Sequence, residues 1–360
     1  MGFTVNQIAA PVSADKREVI EKARRLCGIS PDKIKSAEIH KTSLDARKRS
    51  NIHFVHSVYF ELADPAEEQR LCAKKGFCRI ADEPAQPKFS DKMREGRTVV
   101  AGFGPAGMFC ALTLARCGYR PLVLEKGAEV DKRTQKVEAF WAGGELDENS
   151  NVQFGEGGAG TFSDGKLNTG THDARIGFVL AEFAAHGAPE HITYDAKPHI
   201  GTDVLVEVVQ NLRREIIDRG GEVRFGHRVT GLSTEDGHIA ALTVAGPEGD
   251  YTLPARQVIL AIGHSARDTF EMLHAQGVPM EPKPFSMGVR IEHRQEMVNK
   301  SQYGAFADRL GAADYKLNVR FPDGTSAYTF CMCPGGHVVA AASEEGGVVT
   351  NGMNDFARDG

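Results

Sequence analysis

The sequence has few of the features that mark a secreted protein. It holds only seven cysteines in 360 residues, none in the paired spacing of a disulfide scaffold, and no signal peptide is recognisable. Disulfide-dense proteins are secreted and much shorter, so this cysteine usage indicates a reducing compartment. The sequence therefore predicts a cytoplasmic protein.

Signs of a metal site or a membrane span are also scarce. The thirteen histidines form no H-x-x-x-H pair and no cluster with cysteine, which gives a zinc site no support. The one long uncharged run, Thr98 to Ala115, has the length of a membrane span, but its glycines and Pro105 argue against one. We expect no metal and no membrane partner.

Charge is unequally divided along the chain. Residues 1–97 carry 19 Lys and Arg against 14 Asp and Glu, a net +5, whereas the whole chain has a net charge of −5. The basic segment contains the loop Arg47-Lys48-Arg49, so it could serve nucleic acid or simply form a solvated surface. Because +5 is modest for a nucleic-acid binder, we favour the solvated surface.

Apolar residues make up 41% of the chain, enough for a core in two or three domains. Residues 1–95 predict a small α+β domain that ends in a polar linker with Pro84 and Pro87. Its predicted elements are helix Asp15–Cys27 capped by Gly28, strands Ser36–Leu44 and Ile52–Leu62, and helix Pro65–Lys75.

A βαβ unit follows, with the motif G-x-G-x-x-G at Gly102 to Gly107 between strand Thr98–Ala101 and an apolar helix. Such glycines permit a tight turn, a close approach of the backbone to a pyrophosphate and close packing of helix on strand. Glu125 ends the next strand, where a carboxylate can bind ribose hydroxyls. The sequence predicts a dinucleotide site here, and the acid disfavours a ribose 2′-phosphate.

Three other motifs have weaker interpretations. Gly155 to Gly160 repeats the glycine pattern without a long helix, which favours a loop against a cofactor, or a flexible lid, over a second dinucleotide fold. Gly263-His264-Ser265-Ala266-Arg267 resembles a hydrolase nucleophile elbow, but Arg267 occupies the place of a small residue. Cys331 and Cys333, on a predicted strand, would point to one face, and buried or harmless thiols are favoured over a redox pair.

With these residues in view, the chain resembles the bacterial FAD-dependent dehydrogenases known as NAD(FAD)-utilising dehydrogenases. The resemblance spans nearly the whole chain. It rests on seven segments, namely SLDARK (43–48), VVAGFGPAGMFCAL (99–112), GEGGAGTFSDGKLNT (155–169), KPHIGTD (197–203), VILAIGHSARDTF (258–270), KPFSMGVRIEH (283–293) and CMCPGGHVVAAASE (331–344).

The resemblance implies an α/β fold with FAD as cofactor. Residues 96–281 would form an FAD-binding Rossmann-like domain of the two-dinucleotide-binding-domain flavoprotein type. Residues 1–95 would form a ferredoxin-like domain, and residues 282–360 would begin an antiparallel, β-rich substrate domain. Family members are longer and carry a late Gly-Asp segment, so we expect this chain to be truncated at its C-terminus.

The resemblance also implies the site residues. The pyrophosphate would lie at the glycine turn, Arg133 would be a phosphate or ribose neighbour, the backbone of Val229 would meet adenine, and the second glycine run would lie near the flavin. Arg133 as a solvated helix cation and Lys166 as an ordinary surface lysine are the alternatives. The predicted cofactor-binding set is Gly102, Gly104, Pro105, Ala106, Gly107, Glu125, Lys126, Arg133, Gly157, Gly158, Gly160, Ser163, Val229, Ala261 and Gly263.

The resulting prediction is an FAD-dependent oxidoreductase that passes hydride or electrons between a small-molecule substrate and a bound flavin. Asp164, Lys166 and His264 are the candidates for proton transfer. NADH or NADPH is left open as electron donor, although one dinucleotide fingerprint does not predict a separate NAD domain. A flavin-dependent RNA-modifying or RNA-associated factor and a serine hydrolase are the alternatives.

Overall fold

The computed structural model describes residues 2–81 and 96–358. The predicted linker with Pro84 and Pro87, and the boundary near residue 95, lie outside the described residues. The division of the chain at residues 95 and 281 stays a prediction.

The first sheet has four antiparallel strands in the order β2-β3-β1-β4, with two helices in the sequence order βαββαβ. This is the ferredoxin-like topology expected for the module. Its apolar face contains Val58, Phe60 and Leu62, which alternate along one strand. The elements are β1 (Phe3–Pro11), α1 (Lys16–Cys27), β2 (Ile34–Asp45), β3 (His53–Leu62), α2 (Pro65–Lys74) and β4 (Cys78–Ile80).

Local signals determine the ends of α1 as predicted. Asp15 accepts a hydrogen bond from the Glu18 amide, and the Glu18 side chain accepts one from the Asp15 amide, which completes a capping box. Gly28 ends the helix in the left-handed region at φ 69°.

The second sheet is parallel, in the order β11-β5-β6-β7, and its short central strands β5 and β6 are wholly buried. Helices cover it as in other α/β proteins. The Thr98–Ala115 run is therefore a strand, a glycine turn and most of a helix. The elements are β5 (Thr98–Ala101), α3 (Pro105–Arg116), β6 (Leu122–Glu125), α4 (Val130–Trp141), α5 (Arg175–Ala185), α6 (Thr202–Asp218), β7 (Glu222–Phe225) and β11 (Gln257–Leu260).

An antiparallel three-stranded sheet is inserted between β7 and β11. It comprises β8 (Arg228–Glu235), β9 (His238–Gly246) and β10 (Gly249–Pro254), and α7 (Arg267–Ala275) follows β11. Leu242 and Val244 of this sheet share a buried cluster with Val99 and Leu122 of the parallel sheet. The insertion is thereby held against the strands that carry the glycine turn.

The last part of the described chain contains α8 (Gln295–Tyr303) and two antiparallel pairs, β12 (Asn318–Arg320) with β13 (Ser326–Tyr328) and β14 (His337–Ala340) with β15 (Thr350–Met353). The alternation of apolar residues in Met287–Glu292 also predicts a strand there. This prediction is wrong, because within the described residues the segment has no neighbouring strand to complete a ladder. Its apolar side chains are exposed, Met287 and Val289 by 88% and 90%.

The first sheet also contacts the rest of the chain. Thr42 of β2 exchanges backbone hydrogen bonds with Tyr194 and Ala196, and Ile52 packs in a cluster with Val298 and Tyr303. Across residues 2–81 and 96–358, no helix is long and apolar enough to cross a membrane.

Candidate functional site

The glycine turn lies between β5 and α3, and sterics require glycine at two of its positions. Gly102 has φ 100°, and a Cβ there would lie 2.3 Å from the Ala261 carbonyl oxygen. A Cβ on Gly107 would lie 2.0 Å from the Gly102 carbonyl oxygen. Real Cβ atoms do not approach so closely, so strand, turn and helix pack together only around glycine.

The turn leads into an open helix N-terminus. Gly104 is the N-cap and lacks a side chain to cap the helix, and Pro105 follows at the first helical position. The first intrahelical bond runs from the Met108 amide to the Gly104 carbonyl, 2.9 Å. The amides of Ala106 and Gly107 precede this bond and have no intrahelical partner, so they can serve an anion, helped by the helix dipole.

Glu125 ends β6 directly beside this turn and is buried. Its carboxylate accepts hydrogen bonds from the amides of Phe103 (2.7 Å), Gly127 (2.8 Å) and Gly155 (3.1 Å). The acid therefore joins three segments of the site. Its predicted role at the adenosine ribose stays a prediction.

The second glycine run packs against the first. The Gly157 amide donates to the Phe103 carbonyl, 2.9 Å, and a Cβ on Gly158 would lie 2.9 Å from the Gly104 Cα. A short 3-10 helix, Gly158–Phe162, follows instead of a long α-helix. The run is thus a loop built against the glycine turn, and Gly160 is exposed at its tip and Ser163 half-buried after it.

Arg133 of α4 hydrogen-bonds to the backbone at the start of the second glycine run and in the segment before it. It is fully buried, and its guanidinium donates to the carbonyl oxygens of Asn151, Val152 and Glu156. It also stacks on the Phe162 ring at 4.8 Å. The alternative that Arg133 is a solvated helix cation is therefore wrong. Because Arg133 is fully buried, it also has no exposed surface that could contact a phosphate or a ribose.

Glu156 is a buried acid that the sequence did not single out. One carboxylate oxygen accepts from the Val130 amide (2.7 Å) and from Arg213 (3.0 Å). The other has no hydrogen-bond partner among the residues the structure describes. Burial raises the pKa of Glu156 to about 7, against the opposing effect of the Val130 amide and Arg213.

A cavity of about 570 Å³ opens at the C-terminal ends of β6 and β7. Lys126, Gly127, Phe225, Gly226 and Arg228 contribute to its lining. The Lys126 ammonium lies 3.5 Å from the centre of the Phe154 ring, and burial lowers its pKa.

Val229 is buried in β8 opposite Val244 and does not line the cavity, although its neighbour Arg228 does. The predicted backbone contact of Val229 with adenine stays a prediction. Ligands of open α/β sheets bind at the carboxyl ends of the strands, which is where the cavity lies.

The end of β11 returns the chain to the turn. The Ala261 amide donates to the Ala101 carbonyl, 2.7 Å, and its carbonyl faces Gly102. Gly263, at φ 74°, and His264 are exposed.

The residue after His264 bears on the hydrolase alternative. The Ser265 hydroxyl has Gln153 as its partner at 3.4 Å. Within residues 2–81 and 96–358 no histidine is hydrogen-bonded to Ser265, so the hydrolase alternative gains no support from the surroundings of this serine.

Asp164 and Lys166 form a polar cluster after the second glycine run. Their ion pair is 2.7 Å long, Asp164 is buried, and the Lys166 ammonium also donates to the Met332 carbonyl. The Cys331 thiol lies 3.7 Å from Asp164 Oδ2, the oxygen that also pairs with Lys166. Lys166 is therefore not an ordinary surface lysine, and the pair can hold a proton at a fixed place. His264 has no hydrogen bond to this pair in the described part of the chain.

The cysteine pair does not lie on a strand, because β13 ends at Tyr328, before it. Cys331 faces Asp164, whereas Cys333 is close to Gly336 and Gly352. Burial raises the pKa of the Cys333 thiol to about 12. Within the described ranges no three His, Cys, Asp or Glu side chains form a group that could hold a metal ion.

These features fit a bound dinucleotide. The glycine cradle that a Cβ would fill, the helix amides, and the cavity beyond Glu125 supply a backbone surface, an anion site and space for a nucleoside. The residues that would face the flavin ring stay predictions.

Two family models match parts of the chain. Residues 284–360 match the family described as "FAD-dependent protein, C-terminal domain-like". Residues 4–61 match a domain of unknown function, DUF8436. FAD, the predicted cofactor, is confirmed by the first match.

The chain is also similar to individual proteins. A protein of Clostridium beijerinckii, described as uncharacterized, is 45% identical over all of this chain, which spans 67% of the relative's length. Among solved structures, Thermovibrio ammonificans THI4 is 16% identical over 51% of this chain and 63% of its own, with a TM-score of 0.34. The p-nitrophenol 4-monooxygenase PnpA of Pseudomonas putida is 18% identical over 47% and 42%, with a TM-score of 0.28. TM-scores of this size do not establish a common fold.

Proposed function

The chain belongs to the same family as the Clostridium beijerinckii protein, and we propose that it is an FAD-dependent oxidoreductase of the dehydrogenase type. The observation that carries the proposal is the steric fit around the glycine turn. Gly102 and Gly107 cannot accept a Cβ, and the second glycine run is packed directly on Gly104. A glycine turn that leads into a helix N-terminus is what a bound pyrophosphate needs, and the second glycine run is packed against that turn.

Different residues of the chain would bind the cofactor and hold a proton. The amides at the start of α3 would bind the pyrophosphate, and Glu125 would keep the turn, β6 and the glycine loop in register. FAD, when bound, accepts and returns hydride or electrons. The Asp164–Lys166 pair would hold a proton close to Cys331 for the substrate.

The test is retention of the flavin by the purified chain. FAD is added, the excess is removed by gel filtration, and the visible spectrum is recorded, with the extracted flavin identified by chromatography. We expect a retained flavin band in the wild type. A protein that stays colourless although it is folded would contradict the proposal.

Two glycine variants locate the flavin at the turn. Gly107→Ala places a Cβ 2.0 Å from the Gly102 carbonyl oxygen and is expected to lose the flavin. Gly177→Ala is the matched control, because its Cβ on α5 would face open space and alanine suits a helix. Equal retention by the two variants would argue against binding at the turn.

The electron donor is tested next on the loaded protein. Anaerobic addition of NADH or NADPH either bleaches the flavin band or leaves it unchanged. Bleaching within seconds by one nucleotide would support a nicotinamide donor, and no bleaching by either would exclude that donor for this chain.

A further inference from the structure

A second cleft, larger than the cavity beside Lys126, lies apart from the glycine turn, in residues 286–358. It encloses about 1,540 Å³, more than the roughly 300–1,000 Å³ of common small-molecule sites. Much of its wall is apolar and aromatic, with Met287, Ile291, Tyr328, Phe330 and Met332 among the lining residues. A ligand that fills it has a large apolar body.

Three arginines line the same cleft: Arg290, Arg294 and Arg358. Within residues 2–81 and 96–358, none of the three forms an ion pair with an acidic side chain.

One acid of the cleft, Glu296, has a cationic partner in Lys300 one helical turn away. Glu292 accepts a hydrogen bond from the Val338 amide, 2.9 Å, and keeps its charge. Asp308 also lines the cleft. The three arginines therefore outnumber the two acids, Glu292 and Asp308, that are left to neutralise them.

Arg290 is half-buried, and its guanidinium occupies space that a side chain at position 352 would fill. A Cβ on Gly352 would lie 2.8 Å from an Arg290 guanidinium nitrogen and 2.8 Å from the Cys333 Cβ. The absence of a side chain at Gly352 thus lets the guanidinium lie beside Cys333. Burying an arginine without an acid is costly unless a ligand pairs with it.

Arg358 is also half-buried, and its Nε atom is buried without a hydrogen-bond partner in the described part of the chain. Burial lowers its pKa, whereas the charge of Asp164 opposes this effect. Arg358 is therefore near the Asp164–Lys166 pair, and the cleft reaches the polar cluster through the wall formed by Cys331 and Cys333.

We propose that this cleft binds an organic carboxylate with a large apolar body, held by Arg290 and Arg358, and that this compound is the substrate class of the enzyme. The planar guanidinium matches a carboxylate in shape and charge, and the apolar wall covers the rest of the molecule. The assignment as substrate rests on the proposed FAD-dependent function, whereas the anion site itself is a property of the protein alone.

The probe is 2-naphthoate, compared with 2-naphthalenemethanol, which has the same ring without the charge. Equilibrium dialysis against the flavin-free chain is expected to give at least about tenfold tighter binding of the acid, as for a charge-assisted hydrogen bond. Equal binding of the two compounds would overturn the anion site. Tighter binding of 2-naphthyl phosphate than of the acid would overturn the assignment to carboxylates.

Three variants locate the binding. Arg290→Gln and Arg358→Gln are each expected to weaken 2-naphthoate about tenfold or more and to leave the alcohol unchanged. Arg320→Gln is the matched control, because Arg320 is exposed on β12 and does not line the cleft. Unfolding midpoints within the error of the wild type confirm that each variant is folded. Undiminished binding by both cleft variants would refute the proposal.

The flavin gives a separate readout of the substrate role. In the FAD-loaded chain, 2-naphthoate is expected to shift the visible flavin spectrum, and Arg290→Gln is expected to abolish the shift at the same concentration. Binding without any spectral shift would overturn the substrate role while leaving the anion site. A chain that binds 2-naphthoate and retains no FAD would instead contradict the proposed function.

Discussion

Replacing Arg133 with methionine tests whether the buried guanidinium supports the cofactor loop. Methionine keeps most of the apolar stem and removes every donor. Three buried carbonyl oxygens, of Asn151, Val152 and Glu156, then lose their partner. Each unsatisfied acceptor costs about 1–3 kcal/mol, and the removal of a desolvated charge offsets part of the sum.

We expect Arg133→Met to lower the free energy of unfolding by about 3–5 kcal/mol in urea titrations. Because the loop that Arg133 holds is packed on Gly104, FAD affinity is expected to fall at least about tenfold in equilibrium dialysis. Arg133→Lys, which keeps a charge and fewer donors, is expected to lie between the variant and the wild type.

Gln135→Met on the same helix is the control for this prediction. Gln135 is exposed and does not line the cavity, and substitutions at such surface positions change stability by about 0–0.5 kcal/mol. We expect its stability and FAD affinity to remain close to wild type. If Arg133→Met behaved like this control in both assays, the argument that Arg133 supports the loop would be refuted.

Three further predictions concern buried groups. Burial raises the pKa of Glu156 from 4.5 to about 7, so the native state keeps a proton that the unfolded chain releases. The contribution of this group to the free energy of unfolding is therefore fully present below about pH 4.5 and is lost as pH rises through about 7. Glu156→Gln is expected to remove about 3 kcal/mol of that fall in urea unfolding at pH 4.5 and 8, and equal falls in both proteins would contradict this. Glu125→Gln places a side-chain NH₂ group against backbone amides that donate to the carboxylate in the wild type. We expect it to lower the free energy of unfolding by about 1–3 kcal/mol and to weaken FAD retention. FAD retention at the wild-type level would count against the role of Glu125 in the turn. Because partial burial raises the pKa of the Cys333 thiol to about 12, iodoacetamide at neutral pH is expected to alkylate it more slowly than free cysteine. The rate is followed by peptide mass spectrometry, and an equal rate would contradict the raised pKa.

The parts of the site that are contiguous in sequence were predictable. Strand Thr98–Ala101, the glycine turn and the helix after it carry their own local signals, and the structure has the strand with the predicted bounds. The same holds for α1, whose cap residues Asp15 and Gly28 act within one turn of the helix.

Helix α4 and its arginine illustrate what local signals miss. The sequence predicts Arg133 on a helix only as an alternative and gives that helix no bounds, although Val130, Val137 and Trp141 recur at helical spacing. That spacing was the available signal. The burial of Arg133 could not be predicted, because its acceptors lie 18 to 23 residues further on, in a loop whose path depends on the whole sheet.

The strand prediction for Met287–Glu292 is wrong for the opposite reason: here a local signal is present and the tertiary partner is missing among the described strands. Its alternation of apolar residues satisfies the local pattern for a strand, but a strand also needs a neighbour to accept its backbone hydrogen bonds. No described strand is placed to do so. Local pattern predicts an extended segment, and only the arrangement of the other strands decides whether a ladder forms.

The sequence by itself determined the dinucleotide fingerprint and the acid that follows it, because both depend on short-range geometry and on simple periodicity. For the first module the residues alone indicated a small α+β domain, and the ferredoxin-like order was expected only from the family resemblance. The tertiary structure decided that Asp164 meets Cys331, 167 residues away, and that Arg290 lies beside Cys333 in the space left by Gly352. Such contacts form when segments that are distant in sequence pack into one core. The spacing of residues along the chain does not indicate which distant segments will pack together.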